Sequence, residues 1–102
     1  MSGLFIAPIV EGKGEVEAVP RLLHRLHRHG GRQDSLRVNP PIRIKSGSFL
    51  HDAEYFRRYI ELASRKAQAQ VGGHVLILLD CEDDCAGELG PRLLARARQV
   101  HL

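Results

Sequence analysis

The sequence predicts an α/β domain with three layers in the order βαβαβα around a mostly parallel sheet. Three observations predict it. Leu4–Val10 and Val75–Leu79 are apolar runs without the alternation of a half-solvated strand, which suits strands covered by helices. Stretches of helical periodicity separate the extended stretches, as in a parallel sheet built from βαβ units. Both apolar runs also stop abruptly at acids, Glu11 in one case and Asp80-Cys81-Glu82-Asp83-Asp84 in the other. Ligand sites of open α/β sheets lie outside the carboxyl ends of the strands.

Leu4–Val10 is the first strand. Pro8 has no N–H to give to a ladder, so it predicts a bulge or an edge position. The glycines of Glu11-Gly12-Lys13-Gly14-Glu15 permit a tight strand-to-helix turn. A first helix is expected from about Glu15 to His29. Val16, Val19, Leu23 and Leu26 share one face, acids sit in its first turn and bases in its last, and Gly30-Gly31 stops it. Pro20 lies beyond the first turn and predicts an irregular start or a kink.

Residues 36–44 alternate on either side of Pro40-Pro41 and read as one bent strand or two short ones near a sheet edge. Lys45-Ser46-Gly47-Ser48 reads as a loop. A second helix follows from His51 or Asp52 to Gln70, with Ala53, Phe56, Ile60, Ala63 and Ala67 on its apolar face. Gly72-Gly73 ends it. The run from His74 or Val75 is then expected to be the strand buried on both faces, around which the chain is organised. A third helix is expected over about Glu88–Gln99, with Pro91 near its first turn.

The chain has 102 residues, enough for one domain spanning 1–102, and the few strands suggest the N-terminal part of a longer protein. With no Trp and 5% aromatic residues, the core must be aliphatic. The formal charge of +3 permits a polyanionic partner without demanding one. Acids gather at 11–17 and 80–88, and bases dominate elsewhere. Chemistry on phosphodiesters uses both, acids to hold a metal and bases to hold the backbone. Leu4–Val10 is too short for a membrane span, lacks a basic leader and is interrupted by Pro8, so the expected location is the cytoplasm, without a membrane partner. Cys81 and Cys85 alone do not make a zinc site, which takes four ligands. An exposed sheet edge would suit a homodimer.

The candidate site joins the two strand ends. Four carboxylates within five residues repel one another unless a cation holds them, and hard divalent cations take such oxygens. If the two strands are neighbours, Glu11 and Asp80 share one crevice. Gly12-Lys13-Gly14 is neither a Walker A loop nor a Rossmann fingerprint. Lys13 is a candidate phosphate contact or an offset for its acidic neighbours. Glu11 and Glu15 also suit a helix N-terminus. Arg43 and Lys45 are candidate nucleic-acid backbone contacts.

Glu11-Gly12 after one hydrophobic strand and Asp80-Cys81-Glu82 after another resemble the signature of the Toprim domain of topoisomerases, primases and OLD-family nucleases. More closely, residues 10–17 and 78–85 look like the Toprim-like family of uncharacterised bacterial proteins, a domain of unknown function. The resemblance implies Mg2+ or Mn2+ as cofactor, DNA or RNA as partner, and a metal-dependent phosphodiester hydrolase or nuclease. It assigns Glu11 as general acid/base and metal ligand and Asp80 as metal ligand. Glu82 stands where the pattern has Asp, which leaves Glu82, Asp83 and Asp84 as alternatives for the second ligand; Glu82 and Asp84 join Glu11 and Asp80 in the candidate set. The alternatives are a non-catalytic nucleic-acid- or protein-binding module of a bacterial defence or mobile-element system, and a small-molecule phosphohydrolase.

Overall fold

A computed structural model describes residues 3–31, 34–79 and 86–100. Along the chain these form β1 (Gly3–Val10), α1 (Lys13–His29), β2 (Ser35–Val38), β3 (Ile42–Arg43), α2 (Ser46–His51), α3 (Ala53–Gln68), β4 (Gly73–Leu78) and α4 (Ala86–Arg98). The result is an α/β domain with a small, open, wholly parallel sheet.

β1 is the centre of that sheet. β2 pairs with its first half, from Gly3↔Ser35 to Ile6↔Val38, and β3 with its end, Ile9↔Ile42 and Val10↔Arg43. On the other side β4 runs alongside from Phe5↔Gly73 to Val10↔Leu78. The expectation for Pro8 is therefore overturned, because it lies inside the central strand. The backbone parity explains how. The Phe5 N–H donates to Gly72 on the β4 side, whereas the carbonyls of Ile6 and Val10 accept from Asn39 and Ile44 on the β2–β3 side. Pro8 has the parity of Ile6 and Val10, so its missing donor faces the break between β2 and β3, where Pro40 and Pro41 interrupt the neighbour. Residues 36–44 do form two short strands at a sheet edge, as expected.

The second correction concerns β4. Among the described residues it pairs only with β1, and none of its residues is fully buried; Leu78 is 42% exposed. Within the described sheet it is an edge strand. The strand buried on both faces is β1, where Ala7, Ile9 and Val10 have no exposed surface and Pro8 is fully buried.

Helices cover the two faces of β1. Phe5, Ala7 and Ile9 pack with Phe49 of α2, Phe56, Ile60 and Ala63 of α3, and Leu89 and Leu93 of α4, so the core is not aliphatic as the composition suggests but holds all three Phe of the chain. Pro8 and Val10 point the opposite way, to the layer of α1, whose Val19 is buried. This division follows from the connections: α1 joins β1 to β2, whereas α2 and α3 join β3 to β4 across β1, and right-handed crossovers running in opposite directions lie on opposite faces. α1 begins at Lys13 and runs unbroken through Pro20 to His29. Leu26, on its expected apolar face, is 58% exposed, and Ala53 of α3 is exposed as well.

The segment 45–48 also departs from expectation. Ser46–His51 is a short helix rather than a loop, because Phe49 is fully buried and its ring lies 4.7 Å from that of Phe56. That burial overrides the turn preference of Ser-Gly-Ser. Asp52 then caps α3, its side chain accepting from the N–H groups of Glu54 and Tyr55 at 3.1 Å. At the other end of α3 the chain passes so close to its neighbours that a Cβ on Gly72 would run into the Gly3 carbonyl, and one on Gly73 into that of Ala67. Gly72 also has φ +71°, the left-handed region that favours glycine. α4 begins at Ala86, and Arg96 ties it down by donating to the Leu50 carbonyl and lying 4.0 Å over the Phe56 ring.

Candidate functional site at the end of the central strand

β1 has β2 and β3 on one side and β4 on the other, with crossovers running in opposite directions. Its carboxyl end is thus the switch point of the sheet, where open α/β folds place their ligands. Glu11 follows directly. Its carboxylate accepts from Ser46 Oγ at 2.8 Å, and its carbonyl accepts from Arg43 Nε at 3.3 Å. It borders an open groove of about 640 Å³ lined by Arg43, Lys45, Ser46, Gly47, Tyr55 and Tyr59.

Glu15 has the structural role that the sequence leaves open for both acids of this loop. Its Oε2 accepts from the N–H groups of Glu11 and Gly12, at 3.2 and 3.1 Å, closing the first turn of α1. Glu11 is thereby held by its backbone N–H on one side and by Ser46 on the other. Lys13, the first residue of α1, is exposed to solvent.

β1 and β4 are parallel neighbours, the condition on which a shared crevice depends. Leu78, which leads toward Asp80, is paired with Val10, which leads to Glu11. Asp80, Glu82, Asp83 and Asp84 lie outside the described residues, as do both cysteines. Of the expected metal ligands, Glu11 alone is placed. Among the described residues no group of three or more His, Cys, Asp or Glu could hold a metal ion. Glu11 offers carboxylate oxygen, the donor type hard cations take, at an open strand end beside Arg43 and Lys45.

Three groove residues escape a reading of the sequence. Tyr55 and Tyr59 stand at i, i+4 on α3, and Tyr55 Oη accepts from the Lys45 N–H at 2.9 Å. Their signal is that they border the apolar stripe while carrying hydroxyls, where the core positions carry Phe and Ile. Ser46 has no such signal, since it reaches Glu11 only through the burial of Phe49 three residues later.

The fold and the placement of Glu11 define the class, an open parallel α/β domain with a carboxylate at its switch point. No protein-family model, curated protein or solved structure matches the chain. Among the described residues no helix is long and apolar enough to cross a membrane.

Proposed function

We propose that this chain is a metal-dependent phosphodiester hydrolase of the Toprim type, acting on nucleic acid. The observation that carries the reading is the position of Glu11, at the carboxyl end of the central strand and facing a groove that also presents Arg43 and Lys45. Anionic ligands to a cation and cationic ligands to a phosphate meet at one strand end, as hydrolysis of a phosphodiester requires. Glu11, Asp80 and one or more of Glu82, Asp83 and Asp84 would hold Mg2+ or Mn2+. Such an ion, when bound, polarises a phosphoryl oxygen and lowers the pKa of its water.

The chain's own groups supply the rest. Arg43 and Lys45 hold phosphate oxygens, Arg43 directionally through its fork of donors and Lys45 as a point charge. The Glu11 carboxylate, oriented by Ser46, accepts the proton of the attacking water.

Calorimetric titration with Mg2+ and Mn2+ tests the reading on wild type and Asp80→Ala. Binding that disappears in the variant is the expected result. Plasmid-nicking and RNA-cleavage rates should then fall about a hundredfold or more in Glu11→Gln. Metal binding that Asp80→Ala leaves unchanged, or no binding at all, would sink the hydrolase and leave a non-catalytic module.

A further inference from the structure

The aromatic residues divide into two sets. The chain has three Phe, two Tyr and no Trp. Phe5, Phe49 and Phe56 are all buried in the core. Both tyrosines instead line the groove beside Glu11, together with Arg43 and Lys45. They sit one turn apart on α3 with ring centroids 4.7 Å apart and planes tilted by 47°. Both are half-buried and rest on the core, which fixes the rings. The bond from the Lys45 N–H to Tyr55 Oη ties the basic wall to the aromatic one.

A basic wall facing an aromatic wall selects among polyanions. Arg43 and Lys45 would attract any phosphate backbone, single- or double-stranded. Aromatic faces add affinity only where a base has a free face, and bases inside a duplex have none. We infer that the groove takes single-stranded nucleic acid, with phosphates on Arg43 and Lys45 and an unpaired base stacked on the Tyr55–Tyr59 pair. This inference rests on the proposed hydrolase for its substrate class, but the binding it describes needs no metal. The strand would run past the Glu11 carboxylate, so the tyrosines are positioning residues that decide which phosphodiester reaches it.

The test is fluorescence anisotropy at low salt in EDTA, with labelled oligothymidylate, oligouridylate and a blunt duplex as probes. The expected result is that one or both single strands bind about tenfold or more tightly than the duplex. Tyr59→Leu, which keeps the apolar bulk and removes the ring, should weaken single-strand binding by about fivefold to a hundredfold, and Tyr59→Phe should restore it. Arg43→Gln, at an exposed position, should weaken single strand and duplex alike and lower the salt slope by about one phosphate in a protein that circular dichroism shows to be folded.

Equal affinity for duplex and single strand, no binding of any probe, or a folded Tyr59→Leu that binds like wild type would each overturn the inference. Single-strand binding in EDTA by a protein that fails the metal titration would remove the hydrolase and keep the single-strand groove. Metal binding without single-strand preference would do the reverse.

Discussion

β1 and β4 lie side by side in register for six residues, Phe5↔Gly73 to Val10↔Leu78, and both are apolar, yet they occupy different environments. β1, with a proline in its middle, has neighbours on both edges and helices on both faces. β4, an unbroken Val-Leu-Ile-Leu run, has a partner on one edge among the described residues and leaves Leu78 exposed. Burial of a strand is therefore set by its position in the sheet order more than by its own hydrophobicity. One missing N–H costs little when the adjacent strand is itself interrupted at that level, as the strand beside Pro8 is by Pro40 and Pro41.

The sharpest way to break this comparison is to truncate matched residues. Ile9 and Ile77 are register partners facing the same helices, the first fully buried and the second half-buried. Ile9→Ala should lower the unfolding free energy by about 2–5 kcal/mol in urea titrations, from lost transfer energy and the cavity left behind. Ile77→Ala should cost about half as much, because its site stays partly open to water. Equal losses would mean that β4 is as enclosed as β1.

A smaller effect is expected at the joint between the two sides of the site. Asp52→Ala removes the cap of α3, the helix that spans both strands and carries the tyrosines. It should cost about 1 kcal/mol by the same titration. A loss near zero would show that burial of Phe56 and Ile60 alone sets the helix start.

The smallest effect concerns the outer face of α3, where Glu54, Arg57, Glu61 and Arg65 form a chain of ion pairs of 2.7–3.5 Å. The hydrogen bond from Arg65 holds the Glu61 carboxyl below its ordinary range, and the charges of Arg65 and Arg57 act in the same direction. A lowered folded value means that the contribution is present above the unfolded pKa and disappears as pH falls through the folded one. The small stability difference between wild type and Glu61→Gln should accordingly be present at neutral pH and vanish in acid, and it should shrink with salt. A difference that grows in acid would reverse the sign.

The elements themselves were legible to different degrees. The faces of α1 and α3 stand out because their apolar residues recur at helical spacing, and Val19, Phe56, Ile60, Ala63 and Ala67 are indeed buried. The stop expected at Gly72-Gly73 was misplaced: α3 ends at Gln68, four residues before Gly72, and the two glycines instead serve a crowded entry into β4 that excludes a side chain. Glu11 was visible as an acid directly after an apolar run, a pattern local enough to survive without knowledge of the fold. The helix at Ser46–His51 was not, because its cause is the burial of Phe49 against Phe56, and Ser-Gly-Ser carries the opposite local preference.

What the sequence by itself determined is the alternation of strand and helix, the parallel α/β class and the acid at the end of the first strand. Those follow from periodicity and punctuation, which act over a few residues. Only the tertiary structure decided that β1 is the centre and β4 the edge, that Pro8 faces a gap, and that Arg43, Lys45, Ser46, Tyr55 and Tyr59 gather beside Glu11. Each of these depends on which strand lies next to which, and that order is set by pairing and packing between residues up to about seventy positions apart in the chain.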